Sequence, residues 1–401
     1  MKILVVNCGS SSVKYQFIDM DNELALAKGI VSRIGMSGAV LTHKPHDRSE
    51  VKVTGDILDH IVAIQYIISI LLSENHGVIK DKKEIDAVGH RVVHGGEQFS
   101  ESVMIDSEVN RAIRQLIDLA PLHNPHNIRG INACMKALPE APQVAVFDTA
   151  FHQTMPPKAF IYGIPYVMYR RYGIRRYGFH GPSHFYVANR AAAMTGRDYK
   201  ELRTITCHLG NGASITAVDK GSSVDTSMGF TPLEGLLMGT RCGDMDPAVI
   251  LHIMGREELS LHEANTLMNK HSGLAGISGV SSDMREIIEA MEEGHTSAKI
   301  AFDLYCYRLR KYIGGYAAAM GGVDTVVFTG GVGENSPIVR EKTLENMQYM
   351  GIDLSIDKNR EAIGKEMDIS ADNAAVKTLV IPTNEELVIA RDTLRLVTTK
   401  K

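Results

Sequence analysis

Two arginines stand in unusual sequence surroundings. Arg91 lies in the apolar strand-to-turn segment GHRVVHGG, and Arg241 lies in the glycine-flanked segment GTRCGD. A planar guanidinium grips a carboxylate or a phosphoryl group through two parallel hydrogen bonds, which a lysine ammonium cannot do. His180, in YGFHGPSH, is held between Phe179 and Gly181. An imidazole fixed in this way can donate to an oxygen on which charge develops, with no proton transfer required. His184 follows at a spacing that would suit zinc, but Gly181 and Pro182 intervene and the motif has no acidic partner. Oxygen ligands suit a hard ion better. Asp148 in FDTAFH and Glu385 in PTNEEL follow apolar runs. Glu385 reads equally as a capping carboxylate at the start of the last helix and as a metal ligand.

These residues need a frame, and the chain contains one twice. KILVVNCGSSSVKYQFID (Lys2 to Asp19) and RTITCHLGNGASITAVD (Arg203 to Asp219) each run from an apolar strand through a Gly/Ser/Asn turn into a second strand. Such a tip offers backbone N–H groups and small hydroxyls to an anion. IDAVGHRVVHGGEQF (Ile85 to Phe99) then matches VDTVVFTGGVGENS (Val323 to Ser336), and QVAVFDTAF (Gln143 to Phe151) matches KTLVIPTNEE (Lys377 to Glu386). Three pairs in one order predict two duplicated α/β domains.

Composition narrows the function classes. With 401 residues the chain accommodates two domains of ordinary size, and its net charge of −4 with dispersed basic residues points away from nucleic acid and anionic membranes. The five cysteines (Cys8, Cys134, Cys207, Cys242, Cys306) include no CxxC arrangement, as expected for a reduced compartment. No leader pattern opens the chain and no stretch approaches the roughly 20 apolar residues that span a bilayer, so a soluble cytoplasmic protein is expected. Helical periodicity is expected over Ile57 to Leu72, Asn127 to Leu138, Ser183 to Met194 with Pro182 and Ser183 as its cap, Ser297 to Met320, and Glu385 to Leu396. The expected division is 1–150 and 151–384, with 385–401 packing back on the first domain.

The chain has neither a GxxxxGK[ST] loop, nor a GxGxxG after its first strand, nor HRD and DFG motifs. Instead NCGSSSVK, GHRVVHGG, PLHNPHN, FDTAFH, YGFHGPSH, CHLGNGAS, DTSMGFTPLEG, GTRCGDMDP, TGGVGENS and PTNEEL occur in that order over essentially the whole length. In this the sequence resembles the acetate kinase family, within the sugar kinase, Hsp70 and actin superfamily. The resemblance implies an α/β fold of two duplicated actin/Hsp70-like (ribonuclease H-like) domains with a nucleotide cleft between them. It implies reversible, direct in-line transfer of the ATP γ-phosphoryl to acetate, giving acetyl phosphate and ADP.

The resemblance also assigns residues. Arg91 goes to the substrate, Arg241 and His180 to the transferring group, and Asp148 to an essential role. Acetate is already ionised at neutral pH, so Asp148 is read as orienting water, metal or Arg91 rather than as a base. Val93, Leu122, Phe179 and Pro232 match positions lining a small apolar pocket, although their types are also those of ordinary core residues. The implied ATP contacts are Ser10, Ser12 and Lys14 on the first hairpin, His208, Leu209, Gly210, Asn211 and Gly212 on the second, then Asp283, Met284, Arg285, Gly331, Val332, Gly333, Glu334 and Asn335. Mg²⁺, with Mn²⁺ as an alternative ion, is assigned to Asn7 and Glu385. A homodimer is implied. Competing readings are a propionate or butyrate kinase, a sugar or glycerol kinase, and a non-metabolic actin- or Hsp70-like ATPase.

Overall fold

A computed structural model describes residues 1–399. The chain divides into two compact units, one formed by Met1–Phe151 together with the segment from Asn384 onward, the other by His152–Thr383.

The first unit is built on an eight-stranded sheet. Its strands are β1 (Lys2–Cys8), β2 (Ser12–Asp19), β3 (Leu24–Ser32), β4 (Ala39–Pro45), β5 (Val51–Gly55), β6 (Ala87–Val92), β7 (Val103–Met104) and β8 (Gln143–Phe147), in the order β5-β4-β3-β2-β1-β6-β8-β7. β1 and β2 form an antiparallel hairpin, while β1, β6 and β8 run parallel. Every residue of β8 is buried, as expected of a parallel strand covered on both faces.

The helix His60–Leu71 begins where Asp59 accepts from the N–H groups of Ile61 and Val62. It buries Ile64, Ile67 and Leu71 among Leu4, Val6, Tyr15 and Phe17. The helix Asn124–Ala137 joins the same core through Ala133 and Cys134. It begins three residues before the expected Asn127, because Pro125 is tolerated in a first turn whose N–H groups have no intrahelical acceptor. The helix Glu385–Thr399 lies close against β6. A Cβ at Gly89 would come within 2.5 Å of Thr393 Oγ1, so this approach requires glycine.

The second unit repeats the central frame. Its strands are β9 (Arg203–Leu209), β10 (Ala213–Asp219), β11 (Ser222–Thr226), β12 (Thr325–Thr329), β13 (Met367–Asp368) and β14 (Lys377–Val380), in the order β11-β10-β9-β12-β14-β13. β9 and β10 form the hairpin, and β9, β12 and β14 run parallel. The succession β2-β1-β6-β8 in one sheet therefore corresponds to β10-β9-β12-β14 in the other, so the three sequence pairs occupy equivalent positions. The helix Thr296–Met320 packs Phe302, Tyr305 and Cys306 into this unit's own core and stops at Gly321, whose φ of 69° is left-handed.

The helix Gly181–Thr195 has no side-chain cap, which corrects the expectation for Ser183. Its N-cap is His180, with a left-handed φ of 56°, and the Ser183 hydroxyl bonds instead to His208 Nδ1 and Thr383 Oγ1, both at 2.7 Å. None of the described helices is long and apolar enough to cross a membrane.

Candidate active site

In the first unit the site grows from the ends of parallel strands. Arg91 is the fifth residue of β6, and Asp148 follows β8 immediately. Parallel pairing of Arg91 with Val146 brings the two side chains together. Arg91 Nε donates to Asp148 Oδ1 at 2.8 Å and Nη2 donates to Oδ2 at 2.7 Å, a bidentate pair. Nη1 has no acceptor among the described residues. Burial opposes the charge of Arg91, but Asp148, Glu385 and Glu386 outweigh it and raise its pKa. Glu386 titrates above the usual carboxylate range, first because it is buried and then because Glu385 repels it, with Arg91 and Lys14 acting in the opposite direction.

Two asparagines hold this corner. Asn127 accepts from the Val93 N–H at 3.0 Å and donates to the Cys8 carbonyl at 2.9 Å, linking the ends of β6 and β1. Asn124 accepts from the His94 N–H and donates to the His94 carbonyl. Thr149 accepts from the Gly95 N–H, so FDTAFH also fixes the Gly-Gly turn. Both asparagines lie in PLHNPHN, and their buried amides were not assigned a role from sequence.

At the hairpin tip the Gly9 N–H bonds to the Ser12 carbonyl, and the Gly9 carbonyl meets His60 Nε2. Ser10 and Lys14 are exposed, and Asn7 lies opposite Lys14 in the register of β1 and β2. Burial pushes the neighbouring Cys8 thiol up to about 12, which leaves no thiolate for nucleophilic chemistry. Glu385 Oε1 is buried and lacks a hydrogen-bond partner among the described residues, an oxygen that suits a hard cation completing its shell with water. Val93 is buried, whereas Leu122 is 51% exposed.

In the second unit His180 Nδ1 meets Ser214 Oγ at 2.8 Å, and its ring stacks on His208 with centroids 4.3 Å apart. Arg241 Nη1 donates to the Pro232 carbonyl at 3.0 Å, and Arg241 has no carboxylate partner among the described residues. Its partial burial, uncompensated, lowers its pKa. A Cβ on Gly212 would come within 3.4 Å of Arg241 Nη1 and 3.8 Å of His180 Nε2, so both side chains reach the tip of the second hairpin. Phe179 is buried immediately before His180.

The segment carrying Pro232 and Arg241 is tied down by charged residues that drew no assignment from sequence. Arg176 donates to the carbonyls of Thr226, Ser227 and Met228 and to Glu234, whose other oxygen is bonded by Tyr162. Asp244 accepts from the Gly235 N–H and the Tyr312 hydroxyl. Glu234 and Asp244 each stand beside glycine within a recognised motif, which was the available signal.

A pocket of about 800 Å³ lies within this unit. Gly210, Asn211, Asp283, Met284, Arg285, Gly331, Val332 and Asn335 line it, so eight of the expected nucleotide contacts converge. Others are engaged differently. Leu209 and Gly333 are buried in the fold, and His208 bonds to Ser183. The Glu334 carboxylate accepts from the N–H groups of Gly330 and Thr383 and from the Thr329 hydroxyl. It ties the end of β12 to the segment after β14. Asp283 caps the helix Met284–Glu292 and pairs with the exposed Arg285.

The chain is similar to known proteins over nearly its whole length. The acetokinase family model matches residues 2–391. The chain is 58% identical to the acetate kinase of Acetivibrio thermocellus over 397 residues, covering 99% of each, and 55% identical to that of Desulfitobacterium hafniense over 99% of each. Its structure is similar to that of Porphyromonas gingivalis acetate kinase, with a TM-score of 0.95 and 49% identity over 99% of both chains. It is also similar to a propionate kinase from Francisella tularensis, with a TM-score of 0.92 and 40% identity over 98% of this chain and 99% of that one. The chain therefore belongs to the acetokinase family.

Proposed function

We propose that this protein is a kinase that reversibly transfers the γ-phosphoryl of ATP to acetate, giving acetyl phosphate and ADP. The single observation that carries the chemistry is Arg241, a partly buried guanidinium with no carboxylate partner among the described residues, at the same hairpin tip as His180. Such a cation is suited to an oxygen that becomes more negative during reaction. The carboxylate substrate would be received at Arg91, whose Nε and Nη2 are oriented by Asp148, and the nucleotide base and ribose in the pocket beside Gly331 and Met284.

In this reading a carboxylate oxygen attacks the γ-phosphorus directly and the β–γ bridging oxygen leaves with its electron pair on ADP. The acid is already ionised, so no general base is needed. Asp148, engaged with Arg91, serves as a positioning residue. Mg²⁺, with Mn²⁺ as an alternative, would be held by Glu385 and Asn7 and would supply charge neutralisation of the phosphates. A cytoplasmic location agrees with the free cysteines. Assembly as a homodimer would give a partner to the exposed Tyr166, Val167 and Tyr172.

The test is a hydroxylamine trap for acyl phosphate with ATP, Mg²⁺ and a series of short carboxylates. Acetate is expected to give the highest kcat/KM, with propionate as the competing acceptor. Absence of hydroxamate with every carboxylate would overturn the reading. If Val93 bounds the methyl pocket, Val93→Ala shifts relative kcat/KM toward propionate by about 10-fold, the scale of one methylene in an apolar pocket. An unchanged ratio would remove Val93 from the pocket.

A further inference from the structure

Three buried groups behind His180 form a chain that the reaction as described does not use. Thr206 on β9 places Oγ1 2.7 Å from His184 Nδ1. His184 Nε2 lies 2.7 Å from Ser214 Oγ on β10, and Ser214 Oγ lies 2.8 Å from His180 Nδ1. Thr206, His184 and Ser214 are all fully buried. Burial, followed by the neighbouring His152 and His208, holds the His184 pKa well below the ordinary histidine value, so His184 is a neutral ring with one donor and one acceptor nitrogen.

Ser214 has a single hydroxyl proton and faces two imidazole nitrogens. We propose that Thr206, His184 and Ser214 form a one-way hydrogen-bond relay that fixes the tautomer of His180. Thr206 donates to His184 Nδ1, His184 Nε2–H donates to Ser214 Oγ, and Ser214 donates to His180 Nδ1. His180 is then neutral and carries its proton on Nε2, the nitrogen that lies beside Gly212 and Arg241. The opposite sense would place the proton on Nδ1 and leave a neutral His180 with an acceptor at the site, where it would repel a phosphoryl oxygen.

The helix geometry supports a purpose for this fixation. His180 is held at a φ of 56°, a conformation unfavourable for a residue with a side chain unless the surroundings impose it. Ser214 and the stacked His208 provide that constraint on the ring. Ser214 and His184 act through His180 and are positioning residues. The inference rests on the reading of His180 as a phosphoryl-oxygen donor.

Ser214→Ala is expected to lower kcat about 10- to 100-fold, the range for removing a group that orients a catalytic ligand. KM for ATP and acetate should stay within about twofold, and Ser214→Thr should restore most of the activity because it keeps the hydroxyl. His180→Ala separates the two ideas. Undiminished kcat in His180→Ala overturns both the donor reading and the relay. A large loss in His180→Ala with none in Ser214→Ala overturns the relay alone. The wild-type protein labelled with ¹⁵N-histidine gives a measurement independent of variant folding: the relay requires a neutral His180 with its proton on Nε2, and a proton on Nδ1 overturns it.

Discussion

Arg91 and Arg241 belong to units with the same central strand frame, yet their electrostatic settings are opposite. Arg91 is gripped by Asp148 and lies within the influence of Glu385 and Glu386. Arg241 has a backbone carbonyl and no carboxylate among the described residues. The two arginines do not occupy equivalent positions in the duplication. Arg91 belongs to β6, the counterpart of β12, while Arg241 lies in the long segment between β11 and the helix Pro247–Glu257. The two units thus share a strand frame and differ in the charge balance around their arginines. A compensated arginine can receive and release a ground-state carboxylate. An uncompensated one gains most when negative charge accumulates beside it, which is the condition for accelerating a step rather than merely binding a reactant.

The largest effect should come from the uncompensated side. Arg241→Ala is expected to lower kcat by about 10³-fold or more, close to 4 kcal/mol of transition-state stabilisation. Arg241→Lys should recover little of this, because an ammonium cannot reproduce the planar fork. The hydroxamate assay at saturating ATP and acetate measures it. A loss confined to KM would mean that Arg241 binds ground state and transition state alike and would break the contrast with Arg91.

On the compensated side, Asp148→Asn replaces one carboxylate oxygen with an amide NH₂ that faces the guanidinium. Arg91 should lose its fixed orientation, and kcat/KM for acetate should fall about 10- to 100-fold while KM for ATP changes by less than about twofold. Full activity in Asp148→Asn would show that Arg91 is positioned by something else. An equal loss for both substrates would place Asp148 in contact with the transferring group.

How much of this was legible in the sequence depended on distance along the chain. The parallel strands could be read because each is a short run rich in apolar residues, and the duplication followed from three internal matches in the same order. The long helices could be read from periodicity, with their ends misplaced where Pro125 or Ser183 behaved differently from a simple cap rule. β3 to β5 left a weaker signal, since Lys28, Lys44 and Lys52 occupy their exposed faces. The chemical motifs pointed to Arg91, Asp148, His180 and Arg241, and the bidentate pairing of Arg91 with Asp148 is one of the three roles left open for that carboxylate. Tertiary hydrogen bonds were not legible. Ser214 meets His180 and His184 across 34 and 30 residues, and Asn127 reaches Cys8 across 119. Glu334 carries a further tertiary bond that its motif did not reveal. Its motif suggested nucleotide contact, and in the structure its carboxylate accepts from the N–H of Gly330, whose φ is 75°.

The smallest expected effect tests whether the first unit is crowded with negative charge. The Glu386 pKa is raised, by burial and then by Glu385, so the folded state holds this proton more tightly than the unfolded chain. Its contribution to stability is therefore complete below the unfolded carboxylate value and is lost as pH rises through the higher folded value. At pH 7.5 the ionised Glu386 is a net cost to this unit, partly offset by Arg91 and Lys14. Glu386→Gln keeps the shape and removes the charge. It should raise Tm by about 2 °C at pH 7.5, the shift that roughly 1 kcal/mol gives in a unit of this size, and by less at pH 4. If Tm instead falls at pH 7.5 and changes less at pH 4, the attraction of the ionised Glu386 to Arg91 and Lys14 exceeds the repulsion from Glu385. The first unit would then be short of negative charge around its arginine, and its difference from the second would be one of degree.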